Sequence, residues 1–132
     1  MSKLPPPKKL SVVVPVRNEQ DNVAPLIAEI DAALKGMTHE IIYVNDGSTD
    51  NTQQTLEQLQ KTYSQLRIVR HAASCGQSTA VRTGVKHAKY DWVATLDGDG
   101  QNDPADIPKL MAALEQGVEL RSEEHTSELQ SH

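Results

Sequence analysis

One cysteine, Cys75, is all that this chain of 132 residues contains. No internal disulfide can form and no set of thiolates stands at zinc-ligand spacing, which fits a reducing compartment, the cytoplasm by default. Basic residues are also in deficit. Lys and Arg number 13 against 18 Asp and Glu, a net charge of −5, so the surface lacks the positive field that drives nucleic-acid binding. No apolar run approaches the roughly 20 residues that cross a bilayer. The opening "MSKLPPPKKL" has no apolar centre of the kind a signal peptide carries. The nucleotide loop G-x-x-x-x-G-K-[ST] is missing. Gly98 and Gly100 are followed by Asp103 where a dinucleotide fingerprint needs its third glycine. A calcium loop fails too, because Gln101 and Asn102 occupy the positions of an acidic or Asn ligand and of the turn glycine.

The length suits one domain with one core. Three stretches divide it. Residues 1–9 carry the triple proline Pro5 to Pro7 between Lys3 and the pair Lys8 and Lys9, and are expected to form an extended, solvated lead-in. Residues 10–120 form the domain. Residues 121–132, "RSEEHTSELQSH", continue no period that precedes them. They resemble, position for position, the in-frame translation of a sequencing-library adapter, so the expectation is that the natural chain ran on past Leu120 and that the domain is incomplete at its C-terminus.

Between Leu10 and Leu120 short apolar runs alternate with amphipathic segments. "LSVVVPV" at 10–16 is a continuous run rich in β-branched valine, as in a strand buried on both faces. Residues 22–36 place Val23, Leu26, Ile27, Ile30, Ala33 and Leu34 at helical spacing, with Pro25 in the first turn and Gly36 as the stop. The pattern then predicts strands over 39–46, 66–71 and 91–97, and helices over 48–63, 76–89 and 103–117. The last helix is signed by Asp103 at its cap, Pro104 at its first position and Asp106 in its first turn. Such alternation predicts an α/β fold: a Rossmann-like, mainly parallel sheet with right-handed crossovers and helices on both faces.

In that architecture ligands sit beyond the carboxyl ends of the strands, where strand order reverses. Three polar clusters fall there: "VRNEQDN" after the first strand, "NDGSTDNT" after the second and "DGDGQNDP" after the fourth. Each alone can be read as a turn, with Asp50 capping a helix and Gln53 completing a capping box. Turns do not require carboxylates on successive crossovers, so the convergence points to a site. Paired hard oxygens flanked by glycine suit Mg²⁺ or Mn²⁺ shared with a diphosphate. No histidine is placed to activate a serine: His39 and His87 read as element-end or surface residues, while His71 ends a strand near the cleft. Cys75 has no partner base and reads as inert; Tyr43 and Trp92 read as core.

The segments "SVVVPVRNE", "VNDGSTDNT", "GQSTAVRTG" and "TLDGDGQNDP" resemble, in order and spacing, the glycosyltransferase family 2 enzymes of GT-A fold. Within that family they are most similar to the dolichyl- and polyprenyl-phosphate sugar synthases, dolichyl-phosphate mannosyltransferase among them. The resemblance implies a nucleotide-sugar site in which Pro15, Val16, Asn18 and Glu19 line the nucleoside pocket and Asp46 bonds base or ribose. Gly76 and Gln77 would close over the nucleotide and sugar. Asp97 and Asp99 would form the DxD motif, with Asp99 bonding Mg²⁺ or Mn²⁺ most directly, Asp97 facing ribose or metal, and Gln101 pointing to the same catalytic centre. Ser74 stands where relatives often carry Asn, which puts the polar contact there in question.

The implied reaction is inverting transfer of a sugar from a GDP- or UDP-sugar to a lipid phosphate at the membrane surface, in a protein that is cytoplasmic and membrane-associated at full length. Transfer to a saccharide hydroxyl remains an alternative, and would need a carboxylate base. A sugar-nucleotide nucleotidyltransferase is another, although "PVRNEQDN" lacks the Gly-rich basic loop such enzymes place after the first strand. A non-catalytic metal- or nucleotide-binding module is a third. Donor sugar, acceptor and oligomeric state stay open on the residues alone.

Overall fold

The structure is a computed structural model that describes residues 9–98 and Pro104. Seven elements follow in order: β1 (Leu10–Val16), α1 (Val23–Ala33), β2 (His39–Asp46), α2 (Thr52–Gln60), β3 (Leu66–His71), α3 (Gln77–His87) and β4 (Trp92–Thr95). The four strands form one parallel sheet of order β3-β2-β1-β4. The chain therefore builds outward from β1 through β2 to β3, then returns across the sheet to lay β4 on the other side of β1. That reversal at β1 is the crevice position expected of a doubly wound sheet.

The period of two along β1 explains the layers. Val12 and Val14 point with Ile41 and Tyr43 toward α1 and α2, whose Leu26, Ile27, Ile30 and Leu56 are buried against them. Val13 points the other way, with Ile42, Val44 and Val93, toward Ala80 of α3. A sheet covered on both faces needs apolar residues at nearly every position, and β1 is buried along its whole length. Gly84 lets α3 approach closely, because a Cβ there would run into Val13 Cγ1.

The edge away from the strand tips is pinned by Glu40, which is 2% exposed. Its carboxylate accepts from Ser11 Oγ at 2.6 Å, from the Lys89 amide at 2.7 Å and from Arg67 Nη1 at 2.6 Å. Burial alone would raise its pKa; these donors outweigh burial and hold it below the usual carboxylate value. The network ties β1, β2 and β3 to the connection between α3 and β4.

The expected strands over 10–16, 39–46 and 66–71 match β1, β2 and β3. The others are trimmed. β4 ends at Thr95, although Leu96 N still donates to Val13 O at 3.0 Å, so Asp97 lies just past the ladder. α2 begins at Thr52 instead of 48 because the residues before it form a turn bonded to the β1–α1 loop. The helix expected over 103–117 and the segments 1–8 and 121–132 lie outside the described residues, Pro104 excepted; it is buried in a turn. Among the described residues no helix is long and apolar enough to cross a membrane.

Candidate functional site

A cavity of about 340 Å³ opens at the carboxyl ends of the strands, beside the reversal point. Its first wall is the end of β1, Pro15 and Val16, continued by Arg17 and Glu19. Asp46, the last residue of β2, stands behind. Ser74, Gly76 and Gln77 form the side that leads into α3, and Asp97 with Gly98 closes the side beyond β4.

Glycine makes two of these approaches feasible. A Cβ on Gly98 would collide with Val16 Cγ1 and lie 2.8 Å from the Pro15 carbonyl oxygen, so only glycine lets the residue after Asp97 press against the end of β1. Gly47, at φ +71, has the backbone of Ala73 and Ser74 where a Cβ would be. The turn after β2 and the loop after β3 thus meet backbone to backbone, at a φ that other residues adopt reluctantly.

That meeting brings donors onto Asp46, which is 4% exposed. Oδ1 accepts from His71 Nδ1 at 2.7 Å and from the Cys75 amide at 2.8 Å. Oδ2 accepts from Ser74 Oγ at 2.9 Å and from the Gly76 amide at 3.0 Å. Burial would raise its pKa, but the Cys75 amide, His71, the Ser74 hydroxyl and the Gly76 amide outweigh burial and bring it down to about 2. The carboxylate is therefore ionised, with all four acceptor positions engaged. Asp46, His71 and Cys75 offer ligand atoms within 4.8 Å of one another, yet the N–H and O–H groups already on the carboxylate leave an ion little room there. Ser74, where relatives often carry Asn, spends its hydroxyl on Asp46.

The loop after β1 is clamped to the loop after β2. Asn18, in the left-handed region at φ 56, accepts at Oδ1 from Thr49 N at 2.7 Å and Asp50 N at 3.3 Å, and its own amide donates to Ser48 Oγ at 2.9 Å. Asn tolerates this conformation better than other non-glycine residues. Asn18 consequently lies outside the cavity lining and shapes the cavity through the loop. Asp50 accepts from the Thr52 amide at 2.9 Å, as a cap would, but no capping box forms. Gln53 turns to Asn45, accepting from its Nδ2 at 2.8 Å, because Asn45 is buried and needs the partner.

Of the residues singled out in the sequence, Pro15, Val16, Glu19, Asp46, Gly76, Gln77 and Asp97 meet at one cavity. Gln77 Nε2 donates to Asp97 Oδ1 at 3.1 Å. Asp99 and Gln101 lie outside the described residues. Arg17 and Gly98 were missed as lining residues; the signals for them were a cation directly after the first strand and the first glycine of "DGDG". Among the described residues the lining carries carboxylates from Glu19, Asp46 and Asp97 against the single guanidinium of Arg17, so a diphosphate would meet repulsion unless a divalent cation stood between. Asp97, a hard oxygen donor on the cavity wall, fits such a cation.

Comparison with known proteins bears on this geometry. The family model described as "Glycosyl transferase family 2" matches residues 11–120. An undecaprenyl-phosphate 4-deoxy-4-formamido-L-arabinose transferase of Klebsiella pneumoniae is 39% identical over 119 residues, covering 88% of this chain and 36% of that protein. A dolichol-phosphate mannosyltransferase of Pyrococcus furiosus is 37% identical over 112 residues, covering 85% of this chain and 32% of its own length. In fold, the chain is similar to a mannosyltransferase from Pyrobaculum calidifontis solved with GDP-Man and Mn²⁺, at TM-score 0.72 and 22% identity, covering 86% of this chain and 33% of that one. The chain spans about a third of the length of the curated relatives it matches.

Proposed function

Because the chain belongs to glycosyl transferase family 2, we propose that its cavity is the donor site of an enzyme that moves a sugar from a GDP- or UDP-sugar to a polyprenyl or dolichyl phosphate, with inversion and with Mg²⁺ or Mn²⁺. The observation that carries this reading is the convergence of the ends of β1, β2 and β4 on one cavity that holds Asp46 and Asp97. The relatives' names supply the acceptor class, and the fold neighbour was solved with a nucleotide sugar and Mn²⁺.

In the proposed reaction the bond from the anomeric carbon to the donor diphosphate breaks, and its electron pair leaves with the nucleoside diphosphate. An oxygen of the acceptor phosphate forms the new bond from the opposite face. Such a phosphate is already anionic at neutral pH and needs no strong general base. Asp97 and Asp99 would hold the cation, which when bound would offset the charge growing on the leaving diphosphate, and Gln101 is proposed to serve the same centre. Pro15, Val16 and Glu19 offer walls and a carboxylate to the nucleoside. Gln77 orients Asp97 through its hydrogen bond. Asp46 reaches base or ribose only if one of its four internal donors yields. The acceptor site is proposed to be built outside this chain, on the membrane side of a longer protein.

The location is testable in an isotope-labelled sample. Mn²⁺ added together with GDP or UDP should broaden the amide signals of Gln77, Asp97 and Gly98 by paramagnetic relaxation. Broadening centred on Glu40 and Arg67, at the other edge of the sheet, would overturn the assignment.

A further inference from the structure

We propose that His71 is a positioning residue for the nucleoside end of the cavity, anchored by Thr83 and acting through Asp46. The register between β2 and β3 sets Asp46 opposite His71. Both follow the alternation that points Val44 and Val69 toward α3, so the two side chains meet under that helix. His71 Nδ1 lies 2.7 Å from Asp46 Oδ1, and its Nε2 lies 2.9 Å from Thr83 Oγ1. The ring is 15% exposed and the carboxylate 6%. It is therefore held at both ends, by a strand and by a helix.

Hydrogen-bond chemistry fixes one end and leaves the other adaptable. An ionised carboxylate only accepts, so Nδ1 must carry a hydrogen. The Thr83 hydroxyl has a second partner, the Thr79 carbonyl oxygen at 3.0 Å. It can donate to Nε2, or donate to Thr79 and accept from Nε2. The bond to Asp46 thus survives either protonation state of the ring. Among the described residues the other titratable groups nearby are Cys75, whose thiol belongs to the same cluster, and His87, whose Nδ1 meets the Thr83 carbonyl at 2.8 Å.

Among the described residues the remaining donors to Asp46 all come from one loop segment, Ser74 to Gly76. A ligand that needs this carboxylate must displace one of them. His71 does not belong to that segment and is braced from α3, so it is the donor that stays while the loop yields. Its role is to keep the carboxylate aimed through the exchange. The ligand part of this inference rests on the donor-site reading above; the bracing part does not.

The experiment compares His71→Ala, His71→Asn, which restores an N–H near the Nδ1 position, and Thr83→Val, each checked for folding by circular dichroism. Without nucleotide, amide exchange at Cys75 and Gly76 should quicken about tenfold in His71→Ala, about threefold in Thr83→Val, and stay near wild type in His71→Asn. Dissociation constants for GDP and UDP with Mn²⁺ should weaken in the same order. Unchanged exchange in His71→Ala, or equal losses in the Ala and Asn variants, would overturn the bracing role. Should His71→Ala not fold, wild-type exchange in Thr83→Val overturns it instead. A wild-type chain that binds neither nucleotide refutes the donor-site reading, while the exchange rates still decide the role of His71.

Discussion

Gln77 Nε2 donates to Asp97 Oδ1 across 3.1 Å, joining the first residue of α3 to the second residue after β4. Two segments 20 residues apart in sequence thereby share one carboxylate at the mouth of the cavity.

Removing this bond should weaken the metal-dependent part of nucleotide binding and leave the fold intact. Gln77→Leu keeps the volume and deletes the donor at a solvent-facing position. The expected loss is about 1 kcal/mol, roughly fivefold in the dissociation constant for GDP or UDP with Mn²⁺, with little change when Mg²⁺ and Mn²⁺ are withheld. Equal loss with and without metal would show that Gln77 acts on the nucleotide instead of on Asp97.

Asp46 makes the stability of the chain acid-sensitive. Its pKa falls from the ordinary 3.8 to about 2 on folding, so the native state releases a proton more readily than the unfolded state. The resulting stabilisation, about 2 kcal/mol, is fully present above pH about 4 and is lost as pH falls toward 2. In Asp46→Asn that acid step should disappear, and urea midpoints of the two proteins should converge over this range. Parallel curves would mean that the four donors do not stabilise the carboxylate.

Gly84 sets how closely α3 lies on the sheet, and a Cβ there meets Val13 and Val44 side chains. Gly84→Ala should cost about 1–3 kcal/mol through overpacking, although alanine is the better helix former by about 1 kcal/mol. A thermal melt decides the sign; a stabilised variant would show that the helix has room to move.

Much of the fold was legible because β1 is a nearly continuous apolar run, while β2 and β3 carry short apolar stretches, Ile41 to Val44 and Leu66 with Ile68 and Val69, followed by polar turns. The first turn of α2 was misjudged for a reason no local pattern contains: Thr49 and Asp50 bond Asn18, 31 and 32 residues earlier. The cavity could be foreseen from three carboxylate-bearing strand ends. The bracing of Asp46 could not, since it depends on the register that pairs Asp46 with His71 and on the helix that delivers Thr83. Ser74 illustrates the same limit: its bond to Asp46 accompanies the close backbone contact at Gly47, which joins segments distant in sequence.

The central claim, that the cavity between β1 and β4 holds a nucleoside diphosphate with a divalent cation, is tested most directly by calorimetric titration of the chain with UDP and with GDP, each with and without Mn²⁺. The account predicts saturable heat with at least one nucleotide, stronger with Mn²⁺, and its loss when Asp97 and Asp99 are both changed to Ala. No heat with either nucleotide in the presence of Mn²⁺ would contradict it.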